Sequence, residues 1–129
     1  MQKIIFFLCL STFFTACVEL DEVKITKVNT LEELNEATKN AQPGNEIVLS
    51  NGVWKDIEIN FYGKGTEKQP IILRAETAGE VILEGASNLK IGGEYLVVKD
   101  LYFKNGYTPS NTIIQFKIND TLNANNCKV

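Results

Sequence analysis

The residues of this chain that can do chemistry are few and poorly clustered. Histidine is absent from the 129 residues, and arginine occurs once, as Arg74. Without histidine, a Ser-His-Asp triad, a Cys-His dyad and a histidine-based metal site are impossible within the chain. Any base must be Lys, Tyr, Cys, Asp or Glu. Glu76, Glu80 and Glu84 suggest a carboxylate cluster for calcium, but lack the alternating oxygen-ligand loop that such a site needs. Arg74 follows the apolar triplet Ile71-Ile72-Leu73, which favours a solvated or salt-bridged position over contact with an acidic ligand. Trp54, Tyr62, Tyr95, Tyr102 and Tyr107 can stack on sugar rings, and the same rings serve equally as packing. Trp54 is expected beneath a helix. Of Tyr102 and Phe103 one must face inward, because successive strand side chains alternate.

Lys55, Lys64, Lys68, Lys99 and Lys104 are scattered and read as surface charge. Asn105, Asn111, Asn119, Asn123, Asn125 and Asn126 suit turns, since asparagine tolerates left-handed backbone and its amide can ladder between neighbouring segments. Gly63-Lys64-Gly65 is no phosphate loop, for no Gly-Lys-Ser/Thr and no helix follow it. With 13 basic and 16 acidic residues the net charge is -3, so the chain advertises no face for nucleic acid.

The elements that must position these residues begin after an address. Lys3 precedes the apolar run Ile4 to Leu10, which is too short to span a bilayer and fits a secretory signal peptide over residues 1–16. The run ends in Phe14-Thr15-Ala16-Cys17, which resembles the lipobox of bacterial lipoproteins and makes Cys17 the expected lipid attachment site. The mature protein is then exported and held at a membrane by its acyl chains, otherwise periplasmic or secreted. Glu19, Asp21 and Glu22 make residues 17–28 an acidic tether and lead-in. With Cys9 discarded and Cys17 acylated, Cys127 has no internal disulfide partner and reads as a small buried hydrophobe.

Thr30-Leu31-Glu32-Glu33 is a capping box, and Leu31, Leu34, Ala37 and Ala41 follow at helical spacing until Pro43-Gly44. One helix is predicted over 31–41. Beyond it come short apolar triplets separated by turn residues. One series is Ile47-Val48-Leu49, Ile71-Ile72-Leu73 and Leu96-Val97-Val98. A second is Ile57-Glu58-Ile59, Val81-Ile82-Leu83 and Leu101-Tyr102-Phe103. Further strands fit Ile113 to Phe116 and Cys127 to Val129. Periods of 20 to 25 residues with several short strands each predict a parallel β-helix, an all-β fold whose coils stack about 4.8 Å apart. The helix is placed to cover the first coil. Residues 29–129 are thus the N-terminal cap and first coils of a solenoid expected to continue past Val129.

From Pro43-Gly44 to Gly106 the chain resembles the opening coils of family-6 polysaccharide lyases, the family of chondroitinase B and alginate lyases. The likeness runs in order through Asn51-Gly52-Val53-Trp54, Lys64-Gly65, Pro70-Ile71, Gly85, Gly92 and Asn105-Gly106. It implies a right-handed β-helix and β-elimination of a uronate-containing polysaccharide such as alginate or chondroitin/dermatan sulfate. It implies also Ca²⁺ to neutralise the C5 carboxylate, a Lys that takes the C5 proton and an Arg at the leaving oxygen. Those residues match no position here, so no catalytic, cofactor-binding or metal-binding residue is assigned and residues 1–129 alone are expected to be inactive. The rival readings are a non-catalytic β-helix acting as a glycan-binding or adhesin surface protein, and a pectin-acting β-helix enzyme.

Overall fold

The computed structural model describes residues 22–107 and 112–129. The signal peptide, Cys17, Glu19, Asp21 and Asn111 lie outside the described residues. The chain opens with β1 (Ile25–Val28), a strand inside the stretch read from sequence as tether and lead-in. Helix α1 (Leu31–Lys39) follows, with Thr30 as its N-cap. The Thr30 hydroxyl accepts from Glu33 N at 3.2 Å, and Glu33 Oε2 accepts from Asn29 N at 2.7 Å. These bonds satisfy amides that the first helical turn leaves without partners. The helix stops two residues short of the expected end. Ala41 N turns back to Thr38 O at 3.2 Å, and the Asn40 amide reaches Glu36 O at 3.0 Å.

Three parallel sheets make up the rest. Sheet A carries β1, β2 (Glu46–Leu49), β5 (Ile71–Ala75) and β8 (Leu96–Lys99) in that order. Sheet B carries β3 (Gly52–Lys55), β6 (Val81–Gly85) and β9 (Tyr102–Gly106). Sheet C pairs β4 (Glu58–Lys64) with β7 (Asn88–Glu94), and β7 in turn with β10 (Ile114–Gln115) and β11 (Ala124–Asn125). The chain visits A, B and C in turn and returns to A one rung further on, the winding of a parallel β-helix. Left-handed residues sit at or near its corners: Asp56 between B and C, Asp100 between A and B, and Tyr95 and Asn126 at successive C-to-A corners.

Sheet A holds the first expected series, with a shifted register. Ile47 pairs with Leu73 and Leu49 with Ala75, so β5 slides by two residues relative to a triplet-on-triplet alignment. Two residues preserve the inward face, which is why the slide is tolerated. The second series does not hold together. Val81-Ile82-Leu83 stacks on β3 and β9 in sheet B, whereas Ile59 pairs with Leu89 in sheet C. The left-handed Asp56 turns the chain before Ile57, placing that triplet past the corner.

Inward side chains form one continuous core through Val28, Ile47, Leu49, Trp54, Ile59, Phe61, Ile71, Leu73, Val81, Leu83, Leu89, Ile91 and Leu96. Helix α1 seats on β1, β2 and β4. Leu34 is 1% exposed within that core, and Leu31 and Ala37 pack against it. Trp54 is buried on β3, where its indole N–H donates to Ser50 O at 3.1 Å.

Candidate functional site

Inward positions are closed by packing, so function must be read from the outward faces and the turns. Arg74 is a structural cation: its Nε donates to Glu46 Oε2 at 2.8 Å, bridging β5 and β2 on sheet A. Lys27 Nζ reaches Glu76 Oε1 at 2.6 Å, and Glu76 Oε2 also accepts from Asn51 N at 3.1 Å. The Lys27 hydrogen bond, followed by that of Asn51, holds the Glu76 carboxyl below the usual carboxylate range. Glu84 Oε1 accepts from the Asn105 amide at 3.4 Å. Two of the three candidate carboxylates are thus engaged by different neighbours, and no group of three or more His, Cys, Asp or Glu among the described residues is arranged to hold a metal ion. Glu76, Glu80 and Glu84 do not fit a calcium site.

Sheet C also neutralises its charges. Lys90 Nζ lies 3.0 Å from Glu58 Oε2, and Lys64 Nζ lies 3.8 Å from Glu94 Oε2. The Lys90 hydrogen bond, aided by Asn60, lowers the Glu58 pKa below its ordinary value. Between β10 and β11 the chain makes an excursion over the outer side of this sheet, unforeseen from sequence. Lys117 and Asn123 form an antiparallel bridge, and Asn119 Oδ1 ties the tip by accepting from Thr121 N and Leu122 N, each at 2.9 Å. The excursion lies on Gly92. A Cβ there would stand 2.6 Å from Ile118 Cγ1 and 2.9 Å from Leu122 Cγ, so the flap needs glycine beneath it.

Sheet B differs. Val53, Ile82 and Tyr102 occupy one outward register across its three strands, and Leu83 with Phe103 faces the core. Tyr102 is therefore the outward member of the Tyr102–Phe103 pair. Lys55 and Glu84 share the next outward register. Lys55 and Lys104 form no ion pair among the described residues, and the same holds for Lys68 and Lys99. Tyr62 and Tyr107 are exposed, on β4 and just after β9. The asparagines behave largely as their type predicts: Asn105 and Asn126 adopt left-handed backbone, and Asn51 exchanges hydrogen bonds with Thr77 on the next coil. Cys127 packs against the core edge with Sγ 3.8 Å from Gly93 O. No helix among the described residues is long and apolar enough to cross a membrane.

Parallel sheets stacked by repeated A-B-C winding, with little helix, define a β-helix protein. The family model for chondroitinase B matches residues 28–129, and the chain belongs to that family. The structure is similar to that of the PL6 family alginate lyase AlyGC, with a TM-score of 0.78 and 45% identity over 80% of this chain and 14% of that one. It is similar also to a mannuronic acid specific family 6 lyase from human gut microbiota, with a TM-score of 0.71 and 32% identity over 81% of this chain and 25% of the other. The PL6 family polysaccharide lyase Pedsa3628 from Pseudopedobacter saltans gives a TM-score of 0.61 and 42% identity over 63% of this chain and 19% of that one. This chain therefore spans a quarter or less of these relatives. A search of curated proteins finds no match.

Proposed function

We propose that this chain is the N-terminal part of a secreted lipoprotein polysaccharide lyase that cleaves a uronate-containing polymer by β-elimination, with alginate as the first substrate to test and chondroitin or dermatan sulfate as the alternative. The observation that carries this reading is the family match over residues 28–129 together with likeness to structures described as alginate and mannuronate lyases. The coil is right-handed, as parallel crossovers almost always are. The reaction needs a proton removed from C5, next to a carboxylate, and a group to assist the leaving glycosidic oxygen. In this proposal a Lys and an Arg in coils beyond residue 129 do so, and Ca²⁺ supplies charge neutralisation at the C5 carboxylate there. Residues 22–129 contribute the cap and the first rungs on which those coils stack.

Incubating the full-length protein with alginate, dermatan sulfate and pectin, and following unsaturated-uronate absorbance, tests the reaction. Absorbance rising on alginate is expected; none on any polymer would favour a non-catalytic glycan-binding β-helix. Residues 1–129 alone should release no unsaturated product. The lipid anchor has its own test. Cys17→Ala should move the protein from the membrane fraction to the soluble one, and unchanged partition would reject acylation at Cys17.

A further inference from the structure

The outward cations of the three sheets are used differently. On sheets A and C, Arg74, Lys90 and Lys64 each meet a glutamate and Lys27 meets Glu76 just beyond β5, while Lys99, exposed at the end of β8, meets none among the described residues. On sheet B, Lys55 and Lys104 meet none among the described residues. Glu84, the carboxylate in register with Lys55, accepts a hydrogen bond from Asn105 instead. Beside these amines runs the Val53–Ile82–Tyr102 row, with Val53 60% and Tyr102 48% exposed. Neighbouring strands stand about 4.8 Å apart, so the row extends roughly 10 Å along the coil axis. Its chemistry is an apolar strip with an aromatic ring at one end, and beside it two lysines outside any ion pair together with the Glu84 carboxylate.

Such a strip is complementary to a ligand that is apolar on its face and anionic on its edge. A pyranose ring presents C–H groups on its faces, which pack on aliphatic and aromatic side chains, and a uronate adds a carboxylate at the ring edge. We propose that the outward face of sheet B is a binding face for a linear polyuronate, lying along the coil axis with sugar faces on Val53, Ile82 and Tyr102 and carboxylates toward Lys55 and Lys104. The choice of polymer rests on the acidic-polysaccharide reading above; the face itself is assigned binding and no bond cleavage. The occupant is argued from local charge: Lys55 and Lys104 lie exposed beside the row, and a polyuronate presents a carboxylate on every ring edge.

The test is affinity electrophoresis of the full-length protein through gels containing alginate. Lys55→Glu/Lys104→Glu should weaken retention about tenfold, each exposed charge contact being worth about a fivefold change or less. Tyr102→Ala should weaken it too, and added salt should weaken the wild type toward the double variant. Lys39→Glu/Lys68→Glu makes the same change in net charge away from sheet B and should leave retention as it is. If the glutamate pair fails to fold by thermal unfolding, Lys55→Gln/Lys104→Gln replaces it. Equal retention of the sheet B variants and the wild type overturns the proposal. So does Tyr102→Ala lowering the oligomeric mass while retention is unchanged, for the strip would then be a self-association surface. Product absorbance measured on the same samples separates the two readings. Cleavage with unchanged retention rejects the binding face alone, whereas sheet B-dependent retention without cleavage supports the face and rejects the lyase.

Discussion

The two ends of the coil stack carry similar apolar residues and treat them differently. At the first coil, α1 lies across the core and leaves Leu34 1% exposed, with Leu49 and Ile59 buried beneath. At the last described coil, Ile113 is 42% and Val129 60% exposed, and Leu89, Val98, Leu101, Phe103 and Ile114 border an open cavity of about 360 Å³. Ile114 pairs directly with Leu89, which is fully buried, yet is itself only partly covered. Burial in a solenoid is conferred by the neighbouring coil, so identical side chains differ in worth according to what is stacked on them.

The sharpest way to break this comparison is to charge both ends of the chain. Leu34→Asp should cost about 3–5 kcal/mol, since it leaves an unpaired carboxylate under the helix. With residues 1–129 taken alone, where no further coil is stacked on it, Val129→Asp should cost less than about 0.5 kcal/mol, as surface substitutions do. Denaturant midpoints of the two variants measure the difference; equal losses would mean that α1 does not close the core. A smaller contrast concerns backbone packing between coils. Gly93 has φ +122°, and a Cβ there would overlap the carbonyl oxygen of its ladder partner Gly63. Gly79, at φ +78°, has open space around it. Gly93→Ala should therefore destabilise by about 2–3 kcal/mol and Gly79→Ala by about 1 kcal/mol, both read from thermal unfolding. Similar melting points would show that the coils can separate locally without cost.

The smallest effect is electrostatic. The Glu58 carboxyl is held below its ordinary 4.5, chiefly by Lys90. A carboxylate depressed in the folded state stabilises it above the unfolded pKa, and this contribution is lost as pH falls through the folded value. Stability should thus decline as pH drops below 4.5, and Glu58→Gln should flatten that acid limb by a few tenths of a kcal/mol, the pair being largely solvated. An unchanged acid limb would show that the Lys90 bond adds no net stability.

Local chemistry was enough to read some of this from sequence. Thr30 and Glu33 mark the helix start because a cap acts within one turn, and the triplets at 47, 71 and 96 mark sheet A because each strand is apolar in its own right. The winding period and the family resemblance followed from the order of those triplets and of the glycines between them. Left to tertiary structure were the register and the sheet to which each strand belongs. Parallel partners lie 20 to 31 residues apart, as with Ile82–Tyr102 and Ala124–Gly93, and no local pattern says which corner comes between them. Asp56 and Tyr95 set corners through left-handed backbone that their side chains do not advertise. The flap over Gly92 was invisible for the same reason, because Ile118 and Leu122 meet that glycine only once sheet C has formed. The split between paired and unpaired lysines was also decided there. Lys90 and Lys55 are the same residue type, and only stacking puts Glu58 within 3.0 Å of one and leaves the other beside an apolar row.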